Sequence, residues 1–105
     1  MRELFSSEDS EQLERILTLV RDERAYQDWK YGTSAQRFLG LGDYLVILRG
    51  ELEEAEQAFR KGRSVDGCLD EILQVAAVAV AAMQQHERGR EMCWPMRGQT
   101  QTQLD

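Results

Sequence analysis

Apolar positions recur at helical spacing in three segments of this 105-residue chain. The first segment carries an apolar stripe that consists of Leu13, Ile16, Leu17 and Val20. Serines and acids at 6–11 offer several N-caps before it, and Gly32 supplies a stop signal after it. This pattern predicts a first helix that runs to about Trp29 or Lys30.

The second segment predicts a helix from about Asp43, an acceptable N-cap, to about Lys61. Gly62 suits the position just after its C-terminus. Apolar positions alternate in steps of three and four, which is typical of a seam packed on other helices: Leu45, Leu48, Leu52, Ala55 and Phe59. Residues 33–42 between the two helices are expected to hold a short helical turn.

The third segment predicts a helix from Val65 to Glu87 with Ser64 as its N-cap. Residues 75–83 are apolar on every side, and such a segment is expected to be buried all round. Three helices do not easily cover it, so the expected fold is an all-α, helical-hairpin bundle whose four-helix core is completed by dimerisation, as a dimer or a dimer of dimers. The apolar run is shorter than the roughly 20 residues that span a bilayer.

Residues 1–89 are predicted to form one domain, followed by a C-terminal tail over 90–105. The formal charge of -6, from 19 acidic and 13 basic residues, argues against general nucleic-acid binding, which needs a basic surface. A phosphorylated small molecule stays possible, because a metal ion can supply positive charge locally. No secretory segment is visible, so a cytoplasmic location with free thiols at Cys68 and Cys93 is expected.

Two pairs of oxygen-bearing side chains have the same spacing on consecutive predicted helices. Glu51 and Glu54 are one helical turn apart, and so are Glu71 and Gln74. If the helices pack face to face, three carboxylates and one amide meet in one space and need a cation between them. The hypothesis is a Mg²⁺ site, with Mn²⁺ as an alternative. The competing interpretation is a solvated acidic helix face.

The single histidine limits the choice of metal. Carboxylate-bridged di-iron bundles place a His three residues after a Glu, but Met83 stands three residues before His86. His86 is therefore expected to be a capping or surface residue rather than a ligand.

The same acidic residues resemble those of the MazG-like family of all-α nucleoside triphosphate pyrophosphohydrolases. That family has a Glu-Glu-x-x-Glu segment on one helix and a Glu-x-x-Asp segment on the next. The corresponding segments here are Gly50-Glu51-Leu52-Glu53-Glu54 and Glu71-Ile72-Leu73-Gln74. Stretches 27–32 and 74–81 also resemble short, phage-type or mobile-element members, so the resemblance covers residues 20–86.

The resemblance implies hydrolysis of a nucleoside triphosphate to a monophosphate and pyrophosphate, with Mg²⁺ held by Glu51, Glu54, Glu71 and Gln74. Two positions depart from the family pattern. Gly50 replaces its first Glu, and Gln74 replaces its Asp, which removes one negative charge and predicts weaker metal binding. The alternatives to an enzyme are a catalytically weakened nucleotide-binding protein of the same fold and a helical adaptor for other proteins.

The remaining site residues are predicted from the same resemblance. Glu53 or Asp70 is a candidate to orient the attacking water, with surface charge as the alternative. The candidate substrate contacts are Lys30 for phosphate, Trp29 or Tyr31 for base stacking, and Arg60, Lys61 or Arg63 as further cations. For the last three, interaction with a helix C-terminus is the competing interpretation.

Overall fold

The computed structural model describes residues 6–33 and 36–87. It contains three helices in this range, α1 over Ser7–Tyr31, α2 over Leu41–Arg60 and α3 over Val65–Glu87, and no strand. The predicted all-α class is confirmed. The four-helix core and the second subunit stay predictions, and the predicted tail over 90–105 lies outside the described residues.

Side-chain and glycine caps fix the ends of α1. The Ser6 hydroxyl accepts a hydrogen bond from the Asp9 backbone at 3.0 Å, and the Asp9 carboxylate accepts one from the Ser6 backbone at 3.4 Å. This reciprocal pair is a capping box. At the other end, α1 stops at Tyr31, one or two residues beyond the predicted end at Trp29 or Lys30. Gly32 follows it with a φ of 95°.

The junction between α2 and α3 is a Schellman turn. The backbone N–H of Gly62 donates to Phe59, and that of Arg63 donates to Ala58. Gly62 has φ of 76°, a conformation in which a Cβ atom is strained. Ser64 then caps α3 by accepting from the Gly67 N–H at 3.1 Å, as the sequence predicts.

The start of α2 differs from the prediction. Gly40, not Asp43, is the N-cap, and the Asp43 carboxylate accepts a hydrogen bond from the Gly40 N–H at 3.2 Å. The connection holds no further helix in its described residues. A single turn is present there, because the N–H groups of Gln36 and Arg37 both donate to the carbonyl of Thr33, three and four residues back.

Helix α3 is the central element of the described structure. It packs against both α1 and α2, whereas no Cα atom of α1 comes within 8 Å of a Cα atom of α2. Its buried face carries Ala77, Val78, Ala81 and Ala82, and α2 contributes Ala55 and Ala58. No large side chain of the described part is fully buried. Small residues therefore allow the close approach of α2 to α3.

The packed face of α2 lies beside the seam that the sequence predicts. Leu45, Leu52 and Phe59 are exposed, at 59%, 53% and 77%. The observed face instead carries Tyr44 and Glu51, which stand one position before Leu45 and Leu52. The prediction is confirmed at Leu48 and Ala55, which lie on the packed face. It is wrong at the three exposed leucine and phenylalanine positions, because it assigned the inward positions to apolar residues only.

The apolar stripe of α1 is also largely uncovered in the described chain. Val20 is buried, but Leu13, Ile16 and Leu17 are each more than 40% exposed. Polar contacts join the second half of this helix to α3 instead: the Arg24 Nε donates to the Gln84 side chain at 2.8 Å.

His86 has neither of the roles expected for it. Its ring is half-buried, and Nε2 lies 2.9 Å from the Leu39 carbonyl oxygen. The rings of Phe38 and Tyr44 pack edge-on against it. His86 thus attaches the connection before α2 to the end of α3. None of the three described helices has both the length and the apolar character that crossing a bilayer requires.

Gly62→Ala should lower the free energy of unfolding by about 1 kcal/mol, because alanine is strained at positive φ. Gly50→Ala is the matched control. Gly50 lies inside α2 with open space around its Cα, so alanine there should add about 0.5–1 kcal/mol. Urea denaturation at one protein concentration measures both values. Equal effects of the two substitutions would contradict the left-handed junction at Gly62.

Candidate metal centre and adjoining cavity

Three carboxylates from two helices meet at one side of the structure. Oxygen atoms of Glu51, Glu54 and Glu71 lie within 4.8 Å of one another. The first two are one turn apart on α2, and the third comes from the facing turn of α3. We call these residues the glutamate cluster. The sequence predicted this juxtaposition from the three-residue spacing, and the packing of α2 on α3 brings it about.

The members of the cluster differ in burial. Glu51 and Glu71 are half-buried, while Glu54 is exposed. The Oε2 atom of Glu51 is fully buried and has no hydrogen-bond partner among the described residues. Burial raises the pKa of the Glu51 carboxyl, and the charges of Glu54, Glu71 and Glu23 raise it further. An unpartnered carboxylate among like charges is a site that a cation would stabilise.

One cation of the described residues contacts the cluster directly. The Arg63 guanidinium lies 3.6 Å from a carboxylate oxygen of Glu71. Half of the Arg63 side chain is exposed, so this pair is well hydrated.

A cavity of about 230 Å³ adjoins the cluster. Glu51 and Gln74 line it, together with the apolar side chains of Ile47, Val78 and Ala81. Glu51 therefore belongs both to the cluster and to the cavity wall. The α1 side of the cavity is polar, and it is formed by Arg24, Gln27, Asp28 and Tyr31.

A network of hydrogen bonds holds Arg24 in this wall. Its guanidinium donates to Asp28 at 2.8 Å and to Gln27 at 3.2 Å, in addition to its contact with Gln84. Only 13% of the Arg24 side chain is exposed. Arg24 is thus a fixed, largely buried cation whose remaining N–H groups line a cavity beside three carboxylates.

A second arginine reaches the cavity from the connection between α1 and α2. Arg37 lines the cavity, and its guanidinium carbon lies 5.6 Å from the centre of the Tyr31 ring. The cavity thus combines two guanidinium groups, an aromatic ring and the amide of Gln74. That combination suits a ligand that carries both negative charge and a planar group.

The other predicted substrate contacts lie apart from this cavity. Trp29 is 79% exposed, and the Lys30 ammonium lies over the Tyr26 and Tyr31 rings, at 5.9 and 5.1 Å. A hydrogen bond that the Lys30 ammonium donates to the Tyr31 side chain raises the pKa of Lys30. Of the predicted aromatic residues, Tyr31 lines the cavity and Trp29 does not.

The predicted cations at the end of α2 are exposed, as are both candidates for orienting water. Arg60 lies 3.8 Å from Glu56 on its own helix, and Lys61 is the C-cap. Glu53 and Asp70 face solvent and are not part of the cluster. Their suggested role stays a prediction.

Sequence reasoning missed Arg24, Asp28 and Arg37. The Arg24–Asp28 spacing of four residues is a recognisable helical ion pair, but it carries no sign that the pair lines a cavity. Arg37 lies in a connection, where spacing gives no information about direction. Only the packing of the three helices assembles these residues.

The donor set of the cluster fits a hard divalent cation. All of its atoms are carboxylate oxygens, and the Gln74 amide lines the cavity that Glu51 borders. Mg²⁺ and Mn²⁺ prefer such oxygen ligands. The buried, unpartnered oxygen of Glu51 provides a further reason to expect a cation there.

Without divalent cations, Glu51→Gln should stabilise the protein at pH 7 by at least a few tenths of a kcal/mol, about the cost of one like-charge pair a helical turn apart. The raised pKa of Glu51 means that the folded protein holds this proton more tightly than the unfolded chain. The stability that this tighter proton binding adds is fully present below the ordinary glutamate pKa. It is lost as the pH rises through the higher pKa that Glu51 has in the folded protein. The gain from glutamine should therefore fade below about pH 4.

Urea denaturation in EDTA at a series of pH values tests this dependence. Glu56→Gln is the control, because it removes an acid from the same helix at an exposed position that pairs with Arg60. Glu56→Gln should give no increase in the free energy of unfolding. The same gain in both variants would show that reduced net charge, rather than the glutamate cluster, is responsible.

Comparison with protein-family models, curated proteins and solved structures gives no match to this chain. The resemblance to the MazG-like family therefore stays an interpretation of its sequence motifs.

Proposed function

We propose that this protein is a Mg²⁺-dependent nucleoside triphosphate pyrophosphohydrolase, with Mn²⁺ as a possible substitute. The observation that carries the proposal is the glutamate cluster beside a cavity lined by two arginines. The cluster would hold a cation that faces phosphate oxygens. The arginines and Tyr31 on the far wall would hold the rest of a nucleotide.

Each residue of the cluster has a definite role in this proposal. Glu51, Glu54 and Glu71 would bind the metal through carboxylate oxygens, and Gln74 would add a neutral amide oxygen. The bound ion would offset the negative charge that develops on the phosphate chain. Water would attack phosphorus, the bond between the α-phosphorus and its bridging oxygen would break, and pyrophosphate would leave.

The cavity would hold only part of the substrate. Its 230 Å³ is smaller than the roughly 300–1,000 Å³ of typical small-molecule sites. The planar base suits the wall formed by Tyr31 and Arg37, since rings stack on aromatic and guanidinium planes. The phosphate chain would then extend past Glu51 toward the exposed Glu54. Glu53 and Asp70 remain the candidates to orient water.

The uncovered apolar surface supports assembly into a dimer or a dimer of dimers. The stripe on α1 is joined by exposed apolar residues of α3, namely Val65, Leu69, Ile72 and Met83. Covering them with a second copy would complete the four-helix core. This surface also favours the adaptor alternative, which needs no metal. A cytoplasmic location would provide the proposed substrates.

With Mg²⁺, the native protein should release pyrophosphate from at least one ribo- or deoxyribonucleoside triphosphate. Glu71→Gln should lower kcat/KM at least 100-fold, because it removes a charged metal ligand that also stabilises the transition state. Glu56→Gln, which changes the charge of α2 outside the cluster, should stay within about twofold.

A coupled pyrophosphate assay on a panel of eight nucleotides, with and without Mg²⁺, measures these values. Binding of a nucleotide without any pyrophosphate release would support the catalytically weakened alternative. Neither binding nor release, at concentrations where the assembly is intact, would reject the enzyme and leave the adaptor.

Ile16→Glu should convert the assembly to monomers, since a buried, unpaired charge in an interface costs several kcal/mol. Thr18→Glu is the control, because Thr18 is exposed on a different face of α1. Sedimentation equilibrium of the native protein and both variants gives the result. A native monomer at high concentration, or equal effects of the two variants, would contradict an interface on this stripe.

A further inference from the structure

Arg63 lies in a position that needs an explanation. It lies in the junction between the two helices, two residues after the C-cap of α2 and two residues before the first residue of α3. The negative end of α2 and the positive end of α3 act on its charge in opposite senses, so the helix ends alone do not explain where its guanidinium lies. The glutamate cluster supplies the direct partner, because the Arg63 guanidinium reaches Glu71 at 3.6 Å.

A glycine makes room for this contact. Gly67 is buried in the first turn of α3, and the Arg63 guanidinium lies across it. A Cβ atom at Gly67 would come within 3.0 Å of one terminal nitrogen and 3.1 Å of Nε. A side chain at this position would therefore require the guanidinium to shift by a few tenths of an ångström. Glycine in a helix costs about 1 kcal/mol relative to alanine, and here it allows the approach of Arg63 to Glu71.

The two ends of Arg63 differ in freedom. Its backbone is fixed, since its N–H donates to Ala58 at 3.1 Å in the Schellman turn. Its side chain is half exposed and contacts the cluster through one long ion pair. The guanidinium can therefore leave Glu71 without any change in the backbone.

We propose that Arg63 is the internal counter-ion of the glutamate cluster and that a divalent cation displaces its guanidinium from Glu71. This inference rests on the metal site of the proposed function. Before the metal binds, Arg63 reduces the repulsion among the carboxylates. When the metal binds, Arg63 is a competing positive charge and lowers the affinity of the cluster for the metal.

The test is the affinity of the protein for Mn²⁺ alone, measured by calorimetry or by the spin-resonance signal of the free ion. Arg63→Gln should bind Mn²⁺ about three- to tenfold more tightly than the native chain, as expected for a unit charge removed within several Å of a divalent ion in water. Gly67→Ala keeps every charge but displaces the guanidinium, so it should tighten binding to a smaller degree. Arg15→Gln removes an exposed arginine of α1 and should leave the affinity within twofold.

A second measurement excludes a purely structural role for Arg63. In EDTA, Arg63→Gln should melt about 1–4 °C below the native protein, because the cluster has lost its counter-ion. Saturating Mn²⁺ should remove this difference, because the metal then neutralises the same carboxylates. A difference that persists with metal would show that Arg63 only stabilises the helix junction, which would overturn the proposal.

The outcomes separate the two proposals. If Mn²⁺ binds the native chain but not Glu71→Gln, the metal site stands, and an unchanged affinity in Arg63→Gln then overturns only the role of Arg63. If Arg63→Gln and the control Arg15→Gln tighten Mn²⁺ binding equally, the effect is one of overall charge, and the proposal also fails. If neither the native chain nor Arg63→Gln binds Mn²⁺, the metal site and the counter-ion role fail together.

Discussion

The close packing of α2 on α3 is the contact on which the buried core and the glutamate cluster both depend. Ala55 and Ala58 face the alanine-rich surface of α3, so the two backbones approach closely. Carboxylates on the facing turns therefore come within 4.8 Å, which is costly for like charges. The helices stay together because burial of the small apolar surface outweighs that repulsion. The structure thus holds a concentration of negative charge that separate helices would disperse.

Helix α1 meets α3 through one buried apolar residue and one polar contact, and the cavity lies beside this junction. Val20 is buried, and the Arg24 side chain donates to Gln84 of α3, while its bonds to Gln27 and Asp28 stay within α1 and hold the guanidinium in place. Because no Cα atom of α1 comes within 8 Å of a Cα atom of α2, the two helices leave a space between them. That space is the cavity beside the cluster, which polar groups of α1 and apolar side chains of α2 and α3 line together.

The features predicted correctly from the sequence are those that residues close together in the chain control, namely helix ends and the spacing of side chains along one helix. Ser64 and Gly62 marked the α2–α3 junction correctly, since caps act within a few residues. The three-residue spacing of Glu51 and Glu54 also predicted their meeting with Glu71. The seam of α2 was predicted only in part: Leu48 and Ala55 lie on the packed face, but Glu51 occupies an inward position that an apolar pattern cannot assign to it. Polar residues turned inward are a common departure at functional sites, and tertiary packing alone reveals them.

The exposed apolar surface and the glutamate cluster are neighbours on α3. Ile72 directly follows Glu71 and is 51% exposed, whereas Leu69 lies about 200° away around the helix. A second subunit that covered Ile72 would remove water from the vicinity of Glu71. A lower local dielectric strengthens the repulsion within the cluster when it is empty, and the attraction when a cation is present. Assembly would therefore increase the dependence of the fold on its cation, so that the same surface would govern oligomer formation and metal affinity.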